Sequence, residues 1–135
     1  MTSTSSAELR RVFASAQLDD VRRMLYGEAT LMTLWSIWVL TLRPFDVSST
    51  YAVLDSAFHG ELGAGLLMLA LALGAGLCTR YLHHAWLGGV LLAAGWAVIC
   101  AAMASAAPTS TAALMYGAHA LACAWYTHRV AQLTE

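Results

Sequence analysis

Of the 135 residues in this chain, 59% are hydrophobic and 11% charged, with a formal net charge of −1. A soluble domain of this length has too little interior to hide that much apolar surface, and typical soluble domains carry about 25% charged residues. The near-neutral balance argues against a nucleic-acid partner, because phosphate binding calls for a basic surface.

The N-terminus, MTSTSSAELRR, lacks the apolar stretch of a signal peptide close behind its charges. Ser5 and Glu8 have capping-box spacing, so a helix is predicted to start there. Over residues 5–23, Leu9, Val12, Phe13, Ala16, Leu18 and Val21 recur at helical spacing, with Arg10, Arg11, Asp19, Asp20, Arg22 and Arg23 around the rest of the circumference. This is an amphipathic helix that either lies on a membrane surface or runs straight into a span.

A first span is predicted over 24–42. Its uncharged part, Ala29–Leu42, is short for a crossing, so the span must extend back over Glu28 to Met24. Trp35 and Trp38 lie toward its far end, where an aromatic belt is expected, and Trp86, Trp125 and Tyr126 are the corresponding interfacial anchors on later spans. Arg43-Pro44 stops the helix. An outer linker over 43–61 follows, in which Ser48 or Ser49 can cap a short helix, Thr50–Phe58, presenting Tyr51, Leu54 and Phe58 on one face.

Leu62–Thr79 holds eighteen residues without a charge, which at 1.5 Å each reach roughly 27 Å, close to the hydrocarbon thickness of a bilayer. The second span is therefore set at 62–82. A turn at His83-His84 leads to a third span at 85–107, closed by Pro108, and a fourth at 112–127, ending at His128-Arg129. Short turns make spans two, three and four antiparallel neighbours. With the N-terminus inside, the inner side holds Arg10, Arg11, Arg22, Arg23, Arg80 and Arg129 and the outer side only Arg43. The positive-inside rule then places both termini in the cytoplasm. The predicted fold is an all-α polytopic membrane protein of four spans.

Small residues mark where helices can approach closely. They are Ala70/Gly74 and Ala72/Gly76 on span two, Ala93, Ala97, Ala101 and Ser105 on span three, and Ala113/Gly117 with Ala120/Ala124 on span four. Such stripes serve packing within the chain or between copies. Glu28 and His119 are the polar groups predicted inside the membrane. Glu28 has Arg22, Arg23 or Arg80 within reach as partners. His119 is read as a neutral imidazole bonded toward Ser36 or Trp96, since no span offers a second histidine at matching depth for a haem. Cys78, Cys100 and Cys123 read as apolar filler, and neither they nor His83, His84 and His128 have the spacing of a metal set. No nucleophile elbow, phosphate loop or paired-carboxylate pattern is present, so neither an enzyme nor a cofactor is predicted.

Some residues carry a resemblance. Trp35-x-x-Trp38, Leu40, Pro44-Phe45, Ser49, Tyr51 and Leu54 are similar to small four-span membrane proteins encoded by tailed bacteriophages and prophages. So are Ala107-Pro108-Thr109, Thr111-Ala112, Tyr116, Ala120-Leu121, Ala124-Trp125-Tyr126 and Arg129. The likeness spans about Leu34 to Arg129 and implies a phage origin and a four-helix topology, with no functional residues to carry over. For such a protein the expected role is holin-like: copies accumulate in the host membrane, associate through small-residue faces and open lesions. The near-neutral C-terminal segment HRVAQLTE departs from the charged tail common in holins. The alternatives are a structural or accessory subunit of a virion or larger membrane complex, and a proton or ion relay using Glu28 and His119. The expected partners are the lipid bilayer and either further copies or other membrane subunits.

Overall fold

The first helix begins as the capping-box spacing predicts. The Ser5 backbone N–H donates to Glu8 Oε2 at 3.1 Å, and the Glu8 N–H donates to Ser5 Oγ at 3.4 Å. From there α1 (Ser6–Leu42) runs for 37 residues, about 55 Å, through both the amphipathic stretch and the region predicted as the first span. Nothing in Ala14–Ala29 breaks a helix, so the two predicted pieces are one rod. This computed structural model describes residues 5–42, 54–55 and 58–134. Most of the linker over 43–61, including the greater part of the predicted helix Thr50–Phe58 with Tyr51, lies outside the described residues. Of that stretch Leu54 is buried in the core and Phe58 packs against it.

Gly60, at φ 101°, turns the chain into α2 (Glu61–Arg80), a conformation that glycine adopts without a steric penalty. A 3₁₀ turn, Leu82–His84, leads into α3 (Ala85–Ala106), and α4 (Thr111–Thr134) follows a turn containing Pro108. Ser110 Oγ accepts the Ala113 N–H at 3.1 Å and so caps α4. Two helix C-termini differ by more than one residue from the sequence-based bounds. The second helix stops at Arg80 rather than 82, where Tyr81 turns extended. The fourth continues past 127 to Thr134, because Val130 is buried and Leu133 packs on the core.

The helices form an all-α four-helix ring in which each packs on its neighbours in sequence and α4 returns to α1. Arg22 holds one end of the α1–α2 pair. Its Nε donates to the Thr79 carbonyl at 3.0 Å and Nη2 to the Arg80 carbonyl at 2.8 Å. These are the free carbonyls of a helix C-terminus, where a cation is favoured. At the other end Leu40 lies against Gly65, so α1 and α2 are antiparallel. Between α2 and α3 the backbones meet closely: a Cβ on Gly88 would lie 2.8 Å from the Ala75 carbonyl oxygen and 2.7 Å from Thr79 Cγ2.

The interior is built from Leu25, Met32, Met68, Leu92, Trp96, Ile99, Met103 and Tyr116. The exterior is apolar too: Leu31 and Leu34 on α1, Leu62, Leu66, Leu73 and Leu77 on α2, Val98 on α3, and Leu114, Leu121 and Trp125 on α4 all face outward. In a bundle dissolved in water those outer faces would be polar. Among the described residues, α2 and α3 are long and apolar enough to cross a membrane. In the most apolar stretch of each, only 33% and 39% of the residues are buried within the bundle, so most of them keep some exposed surface.

Candidate functional site

Two ionisable side chains from different helices meet in this apolar ring. Glu28 on α1 and His119 on α4 meet, with His119 Nδ1 3.1 Å from Oε1 and 3.0 Å from Oε2. A single ring nitrogen facing both oxygens is the geometry of an N–H shared by a carboxylate. Glu28 retains 12% of its side-chain exposure and His119 29%. Leu25 and Ala29 are buried on either side of Glu28 in sequence, which turns that face of α1 inward beside α4.

The His119 ring lies on Trp96 of α3, with centroids 5.2 Å apart and planes 31° apart. Trp96 in turn stacks on Tyr116, one turn before His119, at 5.7 Å and 11°. Tyr116 receives the indole N–H of Trp35 on its hydroxyl at 2.8 Å, and their rings meet edge to face at 6.3 Å. Three helices thus contribute to a column of rings ending at the imidazole. The indole N–H of Trp96 is buried and has no hydrogen-bond partner. An orphaned donor in such a place costs stability.

These placements differ from the sequence-based partners. Glu28 pairs with His119 rather than with Arg22, Arg23 or Arg80. Arg22 serves the α2 C-terminus and approaches Asp19 at 3.6 Å, and Arg23 approaches Asp20 at 3.9 Å. Ser36 donates to its own helix, at the Met32 carbonyl, and not to His119. Trp35 is an interior residue and not an outward anchor, while Trp38 is half-buried. Trp86 and Trp125 do face outward, and Tyr126 is half-buried. Among the described residues no three His, Cys, Asp or Glu side chains converge to hold a metal ion.

The small-residue positions divide into inner and outer sets. Ala72 and Ala113 are buried, Gly74 faces Leu91, and Gly117 faces Cys100 of α3. Ala70 is exposed, and a Cβ on Gly76 would meet open space. On α3, Ala97, Ala101 and Ser105 point out of the bundle and Ala93 lies at its edge; the inner contacts of α3 are made by Gly88, Gly89 and Gly95 instead. Ala93 and Ala97, with Ala120 and Ala124 of α4, floor an outer groove of about 640 Å³, bounded at one end by Trp86 and His128. The reading from sequence missed the glycine set, although Gly88-Gly89 and Gly95 stand in the sequence at helical spacing.

Compared with known proteins, the chain matches no family model, no curated protein and no solved structure. None of these comparisons links the chain to small phage-encoded membrane proteins.

Proposed function

We propose that this chain is a multi-pass membrane protein that crosses a bacterial cytoplasmic membrane four times, with both termini inside, and acts through association of its helices rather than by catalysis. The observation that carries this reading is the outward alanine face of α3, which with α4 forms a groove on a surface that lipid would otherwise cover. In lipid, helices associate through close packing at small residues, because tails offer apolar surface as good as leucine does. A groove floored by Ala93, Ala97, Ala120 and Ala124 admits a helix backbone of another copy. Repeated association of this kind is the physical basis of a holin-like, membrane-permeabilising role.

The test is inducible expression of the chain alone in bacteria, with membrane potential and viability followed over time. A delayed collapse of potential that Ala97→Leu or Ala101→Leu abolishes, with the variant still inserted, supports the reading. Normal growth with stably inserted protein overturns the lytic role.

A second reading, an accessory subunit of a virion or a larger membrane complex, is favoured by α1. Its first three turns stand clear of the bundle and expose Leu9, Val12 and Phe13. Recovery of the chain in purified particles or in a defined complex would select this reading over the first.

A further inference from the structure

The Glu28–His119 pair is closed on one side and open on the other. Toward the C-terminal half of α1, the rings of Trp96, Tyr116 and Trp35 wall it off. Glu28 also lines an outer cleft of about 460 Å³ between α1 and α4, together with Arg23, Gly27, Thr30 and Tyr126. The cleft leaves the carboxylate open on its outer side, and the rings close the opposite side. The seam the pair bridges is short: α1 meets α4 over less of its length than it meets α2. The side-chain hydrogen bonds Glu28–His119 and Trp35–Tyr116 cross it.

The ionisable surroundings are few. On α1, Arg23 lines the cleft but lies near Asp20, and Arg22 is held by α2 carbonyls and Asp19. On α4, Tyr126 lines the cleft, and Cys123, one turn from His119, is buried within electrostatic reach of Glu28. From α3 come Trp96 and Cys100, whose thiol donates to the Ala113 carbonyl at 3.3 Å. The ionisable residues of α2, Glu61, Cys78 and Arg80, belong to its two ends. No fixed cation neutralises Glu28 among these contacts, so the net charge at this point is set by protons on the pair.

We infer that Glu28 and His119 form a proton-binding site, loaded from the α1–α4 cleft, whose occupancy sets how firmly α4 is held to α1. A carboxylate with a neutral imidazole carries −1, one further proton makes the pair neutral overall, and a second makes it +1. An apolar seam disfavours either net charge, so the neutral pair is the closed form and gain or loss of a proton loosens the seam. The site belongs to a single copy and does not depend on copies associating.

The test uses the full chain in detergent micelles at a dilution that keeps single copies. Tryptophan emission is followed against pH, since an imidazolium stacked on an indole quenches it. Wild type shows a transition that Trp96→Phe and His119→Gln remove and that Glu28→Gln displaces. Amide exchange in residues 24–35 and 113–126, corrected for intrinsic pH dependence, rises roughly five- to tenfold outside the closed range, the factor matching an interhelical hydrogen bond in a membrane protein. The double variant Glu28→Gln/His119→Gln keeps a neutral hydrogen bond and shows no such pH dependence. If either single variant fails to fold, wild type against Trp96→Phe and the double variant decides. An emission transition unchanged in Trp96→Phe, or seam exchange that is flat in wild type, overturns the inference.

Discussion

The α2–α3 and α1–α4 seams of this ring are held by opposite means. Between α2 and α3 there is almost no side-chain chemistry: Gly88 lets the α3 backbone approach the Ala75 carbonyl, and Gly95 accepts the ends of Met68 and Leu71. Between α1 and α4 the bonds are polar and aromatic, with Glu28–His119 and Trp35–Tyr116 about two helical turns apart on α1. The first seam gains contact by close approach, and at Gly88 and Gly95 it leaves no room for an added Cβ. The second gains direction, because a carboxylate and an imidazole meet in few geometries, and it remains sensitive to what titrates there.

That contrast can be broken most sharply at Gly88. Gly88→Val forces a branched side chain against the Ala75 carbonyl and Thr79, and it is expected to cost about 3 kcal/mol by overpacking. Loss of helical signal during titration with a denaturing detergent measures it, and a cost near zero would mean the two helices do not meet as described. Next comes His119→Ala, which leaves the Glu28 carboxylate half-buried without its partner and uncovers Trp96. About 2 kcal/mol is expected, with His119→Gln recovering roughly half. Equal losses for the two variants would show that ring stacking, not the hydrogen bond, holds the seam.

A smaller effect is expected at Trp35. Trp35→Phe keeps a ring against Tyr116 but removes the donor to its hydroxyl, for about 1 kcal/mol in the same titration. No change there would leave Glu28–His119 as the polar bond that matters on this seam. The smallest effect on the bundle is expected from Ala97→Leu, within about 0.5 kcal/mol, because Ala97 faces outward. The same variant is expected to abolish cross-linking between copies in membranes. A large loss of single-chain stability in Ala97→Leu would place that residue inside the ring.

The site was half legible. Glu28 and His119 stood out separately as polar groups in apolar surroundings, yet each was assigned a different partner. Depth counted from where the apolar runs end does not bring Glu28 and His119 to one level. The helices do not end there: α1 extends back to Ser6 and α4 on to Thr134, the latter because Val130 and Leu133 find cover. Helix ends decided by tertiary burial leave no mark in an apolar run. The alanine stripe on α3 is legible as a stripe, but a run of residues four apart does not state whether it faces a neighbour within the chain or the surroundings.

By itself, the sequence determined the elements: four long helices, their order, the capping box at Ser5, the stops near Pro44 and Pro108, and two helices apolar enough to cross a membrane. Those features depend on local backbone energetics and on composition, which neighbours along the chain suffice to express. Tertiary structure alone decided the rotation of each helix about its axis. That rotation turned Gly88 toward Ala75, Trp35 inward to Tyr116, Ala97 outward, and Glu28 onto His119. It follows from summed packing over all four helices at once, a quantity that no single helix carries.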